Sequence, residues 1–421
     1  MRRGLRSVRG MVHLHSVYSH DACDNDPLPG GMAAQPCFQD LRDALCTIHL
    51  DYAFLTDHAT SMCDHDWDTL FLPQPGDQAV TDAMGRHVAS WLACPDGSQV
   101  LAMVGGENDL MPAGLVEHVA ADATTRHQIM SGTDRATADL LRQHGAVVVV
   151  AHGEGHDLAQ LRDVAPEAME VYNLHANIDP RIRTAMGLDP TAPIMRLSPF
   201  LSNRVDGPEP DLAFLAIFEE NPAELSKFET LLGEGRHITG TVGADAHENA
   251  VPVELRDHER GDSYRRVLRW FSDQLLVPEV TPQALKDALV RGRGYGAFEL
   301  FGLPIGFDFR AETASGVVEM GDSANAADGP TLVLEAPQVM LAPGLERPLL
   351  RTRILRVDAS GSTEVASGDG AAPLRLSASA PGAYRAEVRI TPNHLKPYMG
   401  YAAPDLLHEF VWIYANPIYI H

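Results

Sequence analysis

The sequence predicts an α/β domain built on a parallel sheet, followed by a small all-β domain. Two observations carry this reading. Between residues 11 and 300, short apolar runs of strand length alternate with segments of helical periodicity. That alternation marks β-α-β units, and hence a parallel sheet, either a barrel or doubly wound. Between 318 and 390 helical periodicity is almost absent, and short β-rich runs are separated by clusters of Gly, Pro, Ser and Asp, the texture of a small antiparallel sandwich.

The strands of the first part are expected at 11–15, 52–56, 100–105, 146–151, 168–172 and 238–243. Each is four to seven residues long, and Val147–Val150 is a continuous β-branched run of the kind buried on both faces. Helices are expected at 40–49, 133–144, 222–234 and 283–291. The last is followed by Gly292, Gly294 and Gly296, which end this half. The second part reads as strands at 331–335, 349–357, 374–379 and 383–390. "FVWIYANPIYIH" closes it, with Trp412, Tyr414 and Tyr419 expected in packing. The stretch "SGVVEMGDSANAADGP" is the most linker-like, and the expected domains are 1–310 and 311–421.

Charge and composition narrow the function. The net charge is −24 over 421 residues, a field that repels nucleic acid and anionic membrane surfaces. An anionic substrate would then need a local positive centre. No run approaches the roughly 20 apolar residues of a membrane span. The basic start "MRRGLRSVRG" lacks the apolar segment of a secretory signal. Neither GxGxxG nor GxxxxGK[ST] follows the first strand, so those phosphate-binding loops are absent. All five cysteines (Cys23, Cys37, Cys46, Cys63 and Cys94) lie in the first quarter. Such clustering leans toward local disulfides and an extracytoplasmic location, with Cys37–Cys46 the expected bridge and an odd thiol left over.

The candidate site lies at the strand ends. His13 and His15 are i and i+2 on one strand and so share a face. "YAFLTDH" ends at Asp57 and His58. "VLAMVGGEN" ends at Glu107, after two glycines that permit close approach to the backbone. His118 follows in "GLVEHVA", "VVVVAHG" ends at His152, and "ITGTVGADAH" ends at Asp245 and His247. The C-terminal edge of a parallel sheet is where such folds place their chemistry. Imidazole and carboxylate together suit zinc, manganese or iron, and the set is too large for one ion. Two or three ions sharing carboxylates, with Glu107 and Asp245 as bridges, would use it.

The segments "HLHSVYSHD", "LTDH", "GGEN", "VVVAHG", "MEVYN" and "GADAH" fall in the order of the motifs of the PHP (polymerase and histidinol phosphatase) superfamily, which the chain resembles over residues 11–247. The resemblance implies a distorted (β/α)7 TIM-like barrel, a trinuclear metal centre and hydrolase activity, most often on phosphoesters. Carried over position by position, it implies the ligands His13, His15, His58, Glu107, His118, His152, Asp245 and His247. One more comes from the place where "SHD" stands for the family's SDG, with Asp21 favoured over His20. The C-terminal Ig-like sandwich is similar, more weakly, to the appendage of larger PHP metallohydrolases.

The expected chemistry is metal-assisted hydrolysis of a small anionic molecule such as a phosphoester. His20, if not a ligand, is a candidate acid for the leaving oxygen. Arg181, Arg183 and Arg204, in the Pro-rich segment 174–210, and His175, just beyond "EVYN", are candidates for gripping the substrate. A carboxyl or carbamate ester, or an amide, is the alternative substrate class on the same metals. A non-catalytic metal-binding surface module is the alternative of another kind.

Overall fold

The computed structural model describes residues 2–202, 204–402 and 406–421. The chain divides into two compact units, and not by a single cut. The first comprises 1–175, 241–254 and 260–290, and the second 176–240, 255–259 and 291–421.

In the first unit the strands are β1 (Arg6–Met11), β2 (Tyr52–Leu55), β3 (Gln78–Thr81), β4 (His87–Ala93), β5 (Gln99–Val104), β6 (Met111–Ala113), β7 (Val147–Val150), β8 (Ala168–Asn173), β9 (Thr239–Gly243, of which 241–243 count in this unit) and β10 (Ser272–Val277). Five of the six expected strands are in place. The sixth is displaced: the regular strand is Arg6–Met11, not 11–15. Arg6 and Arg9 interrupt the apolar pattern there, but their guanidinium groups reach outward, to Asp51 and to the Ile48 carbonyl. The backbone between them pairs antiparallel with β10 across Arg6↔Val277 to Gly10↔Asp273.

These strands form two sheets. One has the order β10-β1-β2-β5-β4-β3 and the other β6-β7-β8-β9. Strands β1, β2 and β5 are parallel, as are β7 and β8, in line with the sequence. The β3–β4 hairpin and strands β6 and β10 are antiparallel additions. Both sheets face one core, in which Val8, Tyr52, Phe54, Leu101 and Met103 meet Met111, Val147, Val149 and Ala168, with Leu285 and Leu289 packed among them. Among the described residues the strands do not close into one hydrogen-bonded ring. The sheets join instead through a few backbone bonds past the strand ends, among them Gly106 N to the Pro112 carbonyl (3.1 Å), Asp245 N to the His13 carbonyl (3.2 Å) and His15 N to the Ala246 carbonyl (3.3 Å).

The second unit is not all-β, and its first boundary lies well before residue 310. It includes the helices Pro180–Ala185, Ala192–Leu197 and Pro222–Gly233. Its strands are β11 (Gly294–Ala297), β12 (Asp308–Thr313), β13 (Gly316–Glu319), β14 (Ser323–Ala324), β15 (Thr331–Glu335), β16 (Leu349–Asp358), β17 (Gly361–Asp369), β18 (Leu374–Ser377), β19 (Gly382–Thr391), β20 (Phe410–Ala415) and β21 (Ile418–Ile420). One sheet runs β13-β12-β15-β18, and in the other β19 pairs with β16, β20 and β21. β11, which precedes the expected cut at 310, pairs antiparallel with β20, Tyr295↔Ala415. The helix Pro222–Gly233 is tied to the same sheet: Glu229 accepts from Arg385 Nε (2.8 Å) and from the Ser362 hydroxyl (2.9 Å). Trp412 is fully buried, as expected of a packing residue.

The bridge Cys37–Cys46 is not formed. Both residues lie on the helix Gln35–Thr47, and nine positions at about 1.5 Å per residue put them on the order of 13 Å apart, far beyond disulfide reach. The bridges are Cys23–Cys37 and Cys46–Cys94, and Cys63 is a buried free thiol. Non-reducing peptide mapping is expected to recover these two linked pairs, with Cys63 alkylated only after unfolding. Reduction should cost roughly 2–4 kcal/mol per bridge, read as a lower melting temperature. Linked peptides joining Cys37 to Cys46 would contradict the assignment.

Candidate metal centre

Residues 13–15 lie beyond the regular part of β1, and backbone groups hold them from both sides. Thr56 N donates to the Leu14 carbonyl (2.8 Å), and Leu14 N donates to the Thr56 hydroxyl (3.1 Å). On the opposite flank Asp245 N donates to His13 and His15 N to Ala246. His13 and His15 bring their Nε2 atoms to 3.0 Å of each other, and Leu14 between them is fully buried. The ends of β2 and β5 bring in the next pair through a parallel bridge between His58 and Glu107. Gly105 serves the role anticipated for it: a Cβ there would sit 2.5 Å from the Pro112 carbonyl. The Asp57 carboxylate takes no place among the candidate ligands. It accepts from the Ser16 amide and from the Ser16 hydroxyl (2.8 Å), fixing the turn after His15.

His152 and Asp245 have positive φ, 51° and 48°. Left-handed backbone at a non-glycine residue costs on the order of 1–3 kcal/mol and gathers at functional sites. Here it turns two strand-end side chains inward.

The cluster centres on four buried residues, His13, His15, Glu107 and Asp245. His13 Nε2 lies 3.0 Å from His15 Nε2, 3.4 Å from Glu107 Oε1 and 3.5 Å from Asp245 Oδ1. His15, His58 and His247 form an adjoining group, and Asp21 reaches His58 Nε2 (3.5 Å) and His247 Nε2 (3.4 Å). His152, His175 and Asp245 form another.

The opposite ring nitrogens are occupied. His13 Nδ1 donates to Glu170 Oε1 (2.7 Å), and His15 Nδ1 lies 2.9 Å from the Ser19 hydroxyl. His247 Nδ1 lies 2.9 Å from the Asp245 carbonyl, which can only accept, so that nitrogen carries the hydrogen. Each arrangement turns an Nε2 lone pair into the cluster. Meanwhile Glu107 Oε2, Asp245 Oδ1 and His247 Nε2 are buried without a hydrogen bond. Two imidazole lone pairs at 3.0 Å repel unless a proton or a cation lies between them. The donor set therefore fits divalent metal.

Charge agrees with geometry. Burial disfavours ionised Glu107 and Asp245, yet the surrounding histidines, His13 foremost, hold both well below the usual carboxylate range. Burial opposes the imidazolium of His58 too, but Asp21 and Glu107 push it up to about 10. His13 and His152 are raised by neighbouring carboxylates despite burial. His247, buried and stacked on His15, is lowered to about 3.

Not every residue singled out from the sequence joins. His118 does not: its Nε2 donates to the His65 carbonyl (2.9 Å) and its ring packs edge-on against Trp67. Asp21 sits beside two cluster histidines. His20 is exposed, near Thr60 and 5.0 Å from the His58 ring, and also groups with Asp21 and His58. His175, expected to touch substrate, lies with Nδ1 3.3 Å from Asp245 Oδ2. The arginines belong to the second unit. Arg183 is buried, donating to the Asn177 and Asp189 carbonyls and paired with Glu219. Arg204 is paired with Asp206 and lies over the Tyr401 ring. Arg181 is exposed on the helix Pro180–Ala185.

Glu170 is the functional residue that the strand-end reading missed. It accepts from His13 Nδ1, from His152 N (3.0 Å) and from Asn173 Nδ2 (2.9 Å). Its signal was present, since an acid stands inside a strand whose six residues are all buried. Gly243 makes room for it: a Cβ there would lie 1.9 Å from Glu170 Oε1.

No protein-family model matches the chain, and no curated protein matches it in sequence. Among solved structures it is similar to a two-domain protein from Bacteroides vulgatus described as containing a predicted PHP-like metal-dependent phosphoesterase. The identity is 12% over 97% of this chain and 95% of that one, with a TM-score of 0.39. It is also similar to PsfC from Pseudomonas syringae, at 14% identity over 68% of this chain and 88% of that one, with a TM-score of 0.36. At this level of similarity, what the cluster can do is read from its own geometry.

Two outcomes are expected. Glu170→Gln and Gly243→Ala should each weaken metal binding roughly 10–100-fold by freeing the His13 ring, as measured by competition with a chromophoric chelator; unchanged affinity in both would refute the orienting role. In the metal-free protein at pH 7, His58 holds a proton that a metal must displace. Metal added to unbuffered protein should release protons, and affinity should fall as pH is lowered. Uptake without proton release would show that the raised histidines are not ligands.

Proposed function

We propose that the chain is a metal-dependent hydrolase acting on a small anionic substrate, with a phosphoester favoured. The observation that carries this is the set of inward Nε2 lone pairs and unsatisfied carboxylate oxygens around His13, His15, Glu107 and Asp245. The ions would be zinc, manganese or iron, held by those four residues and, beside them, by His58, His247 and Asp21. When bound, such ions supply Lewis acidity and an activated water nucleophile near neutral pH.

The protein's own groups have distinct tasks. Glu107 offers one oxygen to each side of the cluster, so a single carboxylate fixes the spacing of its neighbours. Glu170 holds the His13 tautomer. His20, exposed with its ring 5.0 Å from that of His58, would be the group that gives a proton to a leaving oxygen. With a net charge of −24, attraction of an anion falls to the cluster itself.

We read the first unit as a distorted (β/α)7 barrel, supported by two sheets that share one core and meet at the end where the cluster sits. We also place the protein outside the cytoplasm, a reading supported by its two disulfides. No helix among the described residues is long and apolar enough to cross a membrane.

Assay of the manganese- or zinc-loaded protein on aryl phosphates and aryl esters tests the central reading. The expected result is phosphate release that falls at least 10²-fold in Asp245→Ala. Strong esterase turnover without phosphatase activity would assign the ester alternative. A protein unable to hold even one ion per chain would leave only the non-catalytic module.

A further inference from the structure

We propose that the cluster holds an outermost metal position whose histidine ligands are His152 and His175, with His175 filling the place the motif pattern gives to His118. The proposal rests on the metal-dependent reading above.

The two carboxylates divide their oxygens by side. Glu107 Oε2 faces His15 (3.3 Å) and His58 (2.9 Å), while Oε1 faces His13 (3.4 Å) and His152 (3.2 Å). Asp245 Oδ1 faces His13, His15 and His247, while Oδ2 faces His152 (3.0 Å) and His175 (3.3 Å). Asp245 Oδ2 is therefore directed toward His152 and His175, with Asn173 Nδ2 at 3.5 Å and Glu107 Oε1 facing the same His152 nitrogen. The atoms gathered there are His152 Nε2 and His175 Nδ1, and the three ligand atoms lie within 4.8 Å of one another. His152 Nδ1 is engaged by Glu154 (3.1 Å), which leaves Nε2 for the cluster.

Chain order explains how His175 arrives. The helix Leu174–Ile178 follows β8 without a gap, so its first turn carries the ring past the strand end that bears Glu170 and Asn173. The His152 and His175 rings stand edge to face, 5.7 Å apart at 84°. His118 has no such placement. Its Nε2 is taken by a carbonyl, and it belongs to none of the metal-competent groups found among the described residues.

This outer position should also be the weakest. The His175 side chain is 50% exposed, whereas those of His13 and His15 are fully buried. An ion held partly by an exposed ring, with few protein ligands, is the first to leave.

The test counts ions in the full chain. Wild type, His175→Ala, His175→Asn and His118→Ala are loaded with excess manganese, dialysed, and measured by elemental mass spectrometry, with thermal melts confirming folding. The expected result is three ions in wild type and in His118→Ala, and two in both His175 variants. A chelator titration should remove one ion ahead of the others in wild type, and that early step should be missing from the His175 variants. Loss of an ion from His118→Ala with full occupancy in the His175 variants would overturn the proposal, as would equal counts in all four proteins. A wild type that takes up no metal would instead overturn the metal-dependent reading itself.

Discussion

Two imidazole nitrogens 3.0 Å apart, both turned toward two carboxylates, set the conditions that the rest of the first unit satisfies. Left alone, such an arrangement would spring open, since buried lone pairs repel and buried charge is costly. It is held because the far nitrogen of each ring is tied down, His13 by Glu170 and His15 by Ser19. Those anchors are themselves held: Glu170 by Asn173 and the His152 amide, and Ser19 by accepting from the His58 amide. The cluster is thus preorganised by a shell of ordinary hydrogen bonds, and positive charge at its centre relieves what the shell enforces.

Backbone does the remaining positioning. The 13–15 segment is clamped between Thr56 on one flank and 245–246 on the other, which sets the His13–His15 pair beside Asp245. Left-handed φ at His152 and Asp245 turns side chains that a continuing strand would direct elsewhere. Gly243 and Gly105 contribute absence, one leaving space for Glu170 and the other for the Pro112 carbonyl. Stability and function are opposed at these points, which is the usual sign of a site under selection for chemistry rather than packing.

Much of this was legible in the sequence, for a physical reason. Buried strands read as short runs poor in charge, so β2, β5, β7, β8 and β9 stood out, and with them the polar residues just past their ends. β1 was misplaced because Arg6 and Arg9 carry long side chains to the surface while their backbone pairs in the sheet. The antiparallel β10 and the β3–β4 hairpin carry too few residues of regular pattern to announce their pairing. Where reading failed at the site, it failed on matters of direction. Nothing in "GLVEHVA" says that His118 turns to the His65 carbonyl, and nothing in "EVYNLH" says that a helix begins at once and brings His175 to Asp245. The cysteine pairing failed likewise, since proximity along a helix is distance in space. Assignment of 176–240 to the second unit depends on tertiary pairing that no local pattern records.

The central claim is that His13, His15, Glu107 and Asp245 surround a cation. A crystal structure of the protein loaded with manganese or zinc, with anomalous diffraction measured at the metal edge, tests it most directly. The account predicts a strong anomalous peak within bonding distance of both Nε2 atoms and of an oxygen from each carboxylate. A well-ordered cluster with full-occupancy side chains and no peak there, in crystals grown with excess metal, would contradict it.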